Sequence, residues 1–362
     1  MSIESTKVPT AKNALVFMTN ETFSNGFLVT LASALISSDL KDFNIYVGYA
    51  KDDPIDRTWP AVIRLCKRFK FPVERCQRIE VDLGMFEGCE IFRNGTYHAY
   101  GRIYLANVLK EPTLFYLDSD MIVLDDLSKL VELAPQKLAI AAVQDMSMPT
   151  HLCEPYEFVD PNDTKDASSY FNSGLLLINK SQYDKADVLN QLNQLYPRVK
   201  NVGYWDQTYL NIIFKNKWEP LPKHWNSFTH PICPCPMILE GERTAIIHFA
   251  GPEKPWDRAR MNVPNILWFS IAQSIGVQLA PEFLDEYNHL AKHFELNQFI
   301  EVRKETIGQV IDFFTPMEHY RKALLQNLEN YGTELSIIQS WLTQNGLDPI
   351  SEPFTKLLHL IK

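Results

Sequence analysis

Apolar residues along the chain recur with two periods, and the balance between them changes part-way. Residues 14–18 form a continuous apolar run, which predicts a strand buried on both faces. Residues 26–37 follow with Phe27, Leu31, Ala34 and Leu35 at helical spacing. Residues 44–49 are β-rich, and 63–69 read as helix. Residues 98–109 place Ile103, Leu105, Ala106 and Leu109 in a helical pattern, and 114–117 are again continuously apolar. Residues 138–143, 174–178 and 245–249 read as three further buried strands. Strands alternating with helices predict an α/β domain with a mostly parallel sheet. After about Gly276 the β-rich runs stop. Phe283, Leu284, Tyr287, Leu290, Ala291 and Phe294 share one helix face. Leu324, Leu328, Tyr331, Leu335 and Ile338 repeat at four-three spacing, the seam of one helix on another. Asn345-Gly346 punctuates, and Pro353 precedes a last short helix. The expected division is an α/β domain over 1–275 and a C-terminal helical segment over 276–362.

Composition changes this picture mainly by exclusion. The 362 residues are 46% hydrophobic and 22% charged, as in an ordinary globular protein. A formal net charge of −9 provides no basic field, so no nucleic-acid partner is expected. Residues 277–362 carry seven Lys+Arg against twelve Asp+Glu (7 − 12 = −5), which favours packing on the core or a partner over peripheral membrane contact. The segment MSIESTKVPTAKNALVFM has no apolar signal core, and no stretch reaches bilayer length. A cytosolic location is expected, with the inner face of the membrane as the peripheral alternative. Cys66, Cys76, Cys89, Cys153, Cys233 and Cys235 do not form zinc-spaced pairs, even with Cys233-Pro-Cys235 close to His230. Reduced thiols are expected.

The candidate chemistry begins where residues 114–117 run into Asp118-Ser119-Asp120. A strand continuing through Asp120 would project both carboxylates to one face, roughly 6–7 Å apart. Ligand sites of open α/β sheets lie at the carboxyl ends of strands. Two carboxylates converging there repel unless a cation lies between them, and a hard divalent ion such as Mn²⁺ or Mg²⁺ suits them. The plainer reading has Asp118 starting a turn and Asp120 capping the next segment. Haloacid-dehalogenase-like phosphatases also place D-x-D after an apolar strand. There it sits near the domain start and continues with Thr or Val, whereas Ile122 stands at that position here.

Six ordered blocks, VFMTNETFSNGFLVTLASAL, YHAYGRIYLANVL, LFYLDSDMIVLDDL, YFNSGLLLIN, GYWDQTYLN and IIHFAGPEKPW, resemble glycosyltransferase family 8 over about residues 13–275. The family includes glycogenin and bacterial lipopolysaccharide galactosyl- and glucosyltransferases. The resemblance implies a GT-A fold, Mn²⁺ (Mg²⁺ the alternative) and retaining transfer of a hexose, galactose or glucose, from a UDP-sugar. It implies Asp118, Asp120 and His248 as metal ligands, although His248 alone reads as a core histidine. It implies donor contacts from Asn20, Phe23, Arg102, Asp145, Asn172, Gly251 and Lys254. Lys254 would meet the diphosphate, and alone it reads as a loop lysine. Asp206 and Gln207 are the candidate catalytic pair beside the sugar; alone, Asp206 reads as a helix cap and Asn172 as a turn. Phe23 stands where the family usually has a tyrosine against the uracil, keeping the stacking face without the hydroxyl. The acceptor would be a glycan, a lipid-linked glycan or a protein. Bacterial surface-polysaccharide or lipopolysaccharide synthesis is the first expectation, and a protein-modifying or self-glycosylating transferase the second. A protein that binds UDP-sugar without turnover is a further alternative.

Overall fold

The computed structural model describes residues 11–91, 96–145, 170–200, 202–229, 238–239, 242–251, 253–260, 262–292, 337 and 340–347. The four-three seam from Leu324 to Ile338, Phe294, Pro353, Cys153, His230, Cys233 and Cys235 lie outside them. The chain forms two compact units. The first comprises Met1–Ser24, Ser38–Ser119 and Leu127–Pro222, and the second Asn25–Ser37, Asp120–Asp126 and Lys223–Lys362.

The first unit is built on seven strands: β1 (Asn13–Met18), β2 (Phe43–Ala50), β3 (Cys76–Val81), β4 (Thr113–Leu117), β6 (Ile140–Gln144), β7 (Phe171–Asn179) and β8 (Trp218–Pro220). Their order is β3-β2-β1-β4-β7-β6-β8. The pairings β3–β2, β2–β1, β1–β4 and β6–β8 are parallel, and β7 runs antiparallel to both β4 and β6. The sheet is therefore mostly parallel, as the alternating pattern predicts. Every residue of β1 is buried, which is why it reads as an unbroken apolar run. β3 is buried only at its ends, Cys76 and Val81, with half-buried and exposed residues between, so its half-polar sequence gives no such signal.

Four helices of this unit carry or support the site: α3 (Gly101–Val108), α4 (Lys180–Ala186), α5 (Val188–Leu195) and α6 (Trp205–Ile213). The expected helix over 98–109 is a short 3-10 turn, His98–Tyr100, leading into α3. At Gly101 an added Cβ would sit 2.6 Å from the Met18 sulfur, so glycine lets α3 approach β1 closely. α2 (Trp59–Arg68) begins four residues before the helix read from periodicity.

The second unit holds a three-stranded sheet in the order β5 (Met121–Val123), β12 (Ile246–His248), β9 (Ser227–Phe228), besides a short hairpin of β10 (Ile238–Leu239) and β11 (Glu242–Arg243). The apolar run at 245–249 thus forms a strand of this smaller sheet. α1 (Ser24–Ser37) covers one edge of β5. Thr30 Oγ1 donates to the Met121 carbonyl (2.8 Å) and accepts from its amide (3.0 Å). Ser33 Oγ accepts from the Val123 amide, and Ser37 Oγ donates to the Val123 carbonyl. The opposite edge pairs with β12, placing Met121 across from His248. α7 (Val263–Ser274) and α8 (Pro281–Lys292) follow. Asn262 caps α7 through the Asn265 amide, and Phe283 and Tyr287 of α8 pack on Phe269. Of the apolar face expected over 283–294, Phe283 and Tyr287 are buried and Leu284 and Leu290 half-buried, while the side chains of Ala291 and Phe294 lie outside the described ones.

Candidate active site

The carboxyl end of β4 does not run straight through the acidic motif. The β4–β7 ladder extends one residue past β4, with the Asp118 amide donating to the Gly174 carbonyl (2.9 Å). Ser119 then turns, its hydroxyl donating to the Met18 carbonyl (2.7 Å), and β5 begins only at Met121. The strand expected to continue through Asp120 is therefore broken. A pinned turn, not strand alternation, sets the two carboxylates.

Around Asp118, Arg102 of α3 is the organising cation. It is almost fully buried, and a buried guanidinium needs partners for its fixed donors. Nη2 donates to Asp118 Oδ1 (2.9 Å), Nε pairs with Asp206 Oδ2 (3.0 Å), and Nη1 donates to the Ser173 carbonyl and hydroxyl. The Tyr116 ring lies 4.6 Å from the guanidinium carbon. Burial raises the Asp206 carboxyl to about 6; Arg102 pulls it down and Asp118 pushes it up.

A second knot joins Asp145, Asn172 and Gln207, all buried. Asp145 Oδ2 accepts from Gln207 Nε2 (2.9 Å) and Asn172 Nδ2 (3.2 Å). Gln207 Oε1 accepts from the Ser173 amide (3.0 Å) and from Asn172 Nδ2 (3.1 Å). Asn211, one turn further along α6, grips both backbone groups of Phe171 and so fixes α6 against β7. Asn172 lies within β7, not in a turn before it, and Asp206 is the second residue of α6, not its cap. Trp205, which leads into them, has φ +46°, a left-handed conformation uncommon for a bulky side chain. Asn20 Oδ1 accepts from the Phe23 amide three residues on (2.9 Å), which fixes the Phe23 backbone.

In the second unit, Asp120, His248 and Lys254 come together. Lys254 Nζ donates to Asp120 Oδ2 (2.5 Å) and to the Phe249 carbonyl (2.8 Å). His248 Nε2 lies 3.3 Å from Asp120 Oδ1. Burial alone would raise the Asp120 carboxyl, but Lys254 and His248 hold it well below the ordinary carboxylate range. On the other side of the imidazole, Nδ1 donates to Asn226 Oδ1 (3.0 Å). That bond fixes the ring orientation and turns Nε2 toward Asp120. Gly251, between His248 and Lys254, has φ +106°.

Asp118, Asp120 and His248 each offer one ligand atom, and these atoms lie within 4.8 Å of one another. Two carboxylates and an imidazole form a donor set that fits a divalent cation such as Mn²⁺ or Mg²⁺. The sequence reading missed Ser173, Asn226 and Asn211, which orient these groups. Ser173 lies inside the FNSG block and was within reach. Asn226 has no local signal.

The family model described as glycosyl transferase family 8 matches residues 14–260, more than half of the chain. The chain belongs to glycosyltransferase family 8. General stress protein A of Bacillus subtilis is 31% identical over 207 residues, covering 52% of this chain and 68% of that protein. Glycosyltransferase GlyF of Streptococcus pneumoniae is 27% identical over 197 residues, covering 53% of this chain and 46% of GlyF. Lipopolysaccharide 1,2-glucosyltransferase of Escherichia coli is 26% identical over 173 residues, 44% of this chain and 48% of that enzyme. Against GlyF and the glucosyltransferase, the chain spans about half the relative's length. The galactosyltransferase LgtC, solved with donor and acceptor sugar analogues, superposes with a TM-score of 0.60 at 19% identity, over 75% of this chain and 99% of LgtC. That likeness shows the fold, and the GT-A architecture implied by the family blocks is present. The family-8 chain is thus a glycosyltransferase carrying a site that can hold a metal. Among the described residues, no helix is long and apolar enough to cross a membrane.

Proposed function

We propose that this family-8 enzyme transfers a hexose, galactose or glucose, from a UDP-sugar to a glycan or other hydroxyl acceptor, with retention and with Mn²⁺ as cofactor. The observation that carries the proposal is the donor set of Asp118, Asp120 and His248, with Lys254 held against Asp120. Bound there, a divalent ion would neutralise charge on the departing diphosphate. Lys254 supplies a compact ammonium for the phosphate that gains charge as the glycosidic bond breaks. Asp145, Asn172 and Gln207 form a rigid polar knot suited to reading neighbouring sugar hydroxyls. Asn20 and Phe23 are assigned to the uridine, with the Phe23 ring stacking on the base.

Retention by double displacement would need a free nucleophile. The Gln207 carbonyl oxygen already accepts three hydrogen bonds, and the Asp206 carboxylate is bound to Arg102. Both facts support front-face attack. The acceptor oxygen bonds to the anomeric carbon as the bond to the diphosphate oxygen breaks, and the acceptor proton passes to that oxygen. The assigned location is the cytosol, and the assigned role is bacterial surface-glycan synthesis.

The test is a screen of UDP-sugar donors by UDP release, with candidate acceptors added to the best donor and the product's anomeric configuration read by NMR. An α-linked product from an α-linked UDP-hexose is expected. A β-linked product, or a glycosyl adduct on Asp206 or Gln207 found by mass spectrometry, would overturn the front-face account. A protein that accepts sugar better than any glycan would select the protein-modifying alternative.

A further inference from the structure

Tyr116 reads in the sequence as one residue of an apolar strand, and its ring is packed in the main core. Packing explains the ring but not the hydroxyl, because phenylalanine would fill the same space. That hydroxyl donates to Asp118 Oδ1 (3.1 Å), the same oxygen that accepts from Arg102 Nη2 (2.9 Å). Tyr116 and Asp118 are two residues apart along β4 and its one-residue extension, so alternation places them on one face. The ring also lies against the Arg102 guanidinium, which keeps the second donor aimed at Asp118.

We propose that Tyr116 is a positioning residue for the metal site, fixing the Asp118 carboxylate directly through its hydroxyl and indirectly by holding Arg102. The inference rests on reading Asp118 as a metal ligand. A ligating carboxylate held by outer hydrogen bonds does not have to be ordered when the cation binds. Removing such a partner typically weakens metal affinity about 10–100-fold.

The test is a Mn²⁺ titration without nucleotide, following free Mn²⁺ by electron paramagnetic resonance, on wild type, Asp118→Ala, Tyr116→Phe and Tyr209→Phe. Tyr209 is the control for loss of a buried tyrosine hydroxyl, since its hydroxyl donates to the Val199 carbonyl (3.0 Å). Tyr116→Phe should bind Mn²⁺ about 10–100-fold more weakly, and Tyr209→Phe should match wild type. If Tyr116→Phe does not fold, 4-aminophenylalanine at 116, which keeps a donor, should bind like wild type, and 4-methylphenylalanine should not. Wild-type affinity in Tyr116→Phe, or equal affinities for the two unnatural residues, would overturn the proposal while leaving the metal assignment intact. Wild type that binds no Mn²⁺, or Asp118→Ala that binds it normally, would overturn the metal assignment and this inference with it.

Discussion

Asp206 is nearly buried beside Arg102, and its carboxyl is raised to about 6 because burial outweighs that attraction. An unfolded aspartate titrates near 3.9. Between those values the native state binds the proton that the unfolded state has released. The contribution of Asp206 to stability is therefore complete below about pH 4 and is lost as pH rises through about 6, by roughly 3 kcal/mol for two pKa units. Urea unfolding of wild type and Asp206→Asn from pH 4 to 7 should show wild type losing stability relative to the variant. A pH-independent difference would contradict the assignment. At Gly251 the argument concerns the backbone: φ is +106°, yet an added Cβ would meet nothing within 4 Å. Gly251→Ala should cost about 1–3 kcal/mol through strain alone. It should also weaken UDP binding, since the loop carries Lys254. Denaturation and calorimetry check both expectations, and a neutral outcome would rule out the strain.

At the scale of elements, the acidic motif depends on a helix that reads as an ordinary apolar one. Thr30, Ser33 and Ser37 satisfy the backbone groups of Met121 and Val123 on the edge of β5 away from β12. Thr30→Val keeps the shape but orphans the Met121 amide and carbonyl, at about 1–3 kcal/mol each. Chemical denaturation should show a loss of roughly 2–6 kcal/mol, with weaker Mn²⁺ binding because Asp120 immediately precedes β5. A loss under about 0.5 kcal/mol would mean those groups find other partners. Here too lies the limit of what could be read in advance. β1, β4 and β7 were legible because strands covered on both faces are continuously apolar. The break after Asp118 was not, because it depends on the Ser119 hydroxyl reaching Met18, far away in sequence. The candidate metal group and the polar cluster of Asp145, Asn172 and Gln207 were legible through ordered blocks. Their supports were not, since Asn226 and Tyr116 act through contacts that no local pattern encodes.

For the whole molecule, ligand binding should appear as stability. A ligand that binds only the folded chain adds about 2.7 kcal/mol at 100 times its Kd. UDP with Mn²⁺ should therefore raise the thermal midpoint of wild type. Neither UDP alone with EDTA nor the pair added to Asp118→Ala should do so, and equal shifts in both proteins would contradict a shared metal-donor site. The most direct measurement is UDP release from UDP-glucose and UDP-galactose with Mn²⁺, by wild type and Asp118→Ala. Slow release by wild type, abolished by EDTA and by the substitution, is the predicted result. Metal-independent hydrolysis of a simple phosphate monoester, with no release of UDP from either sugar nucleotide, would contradict it.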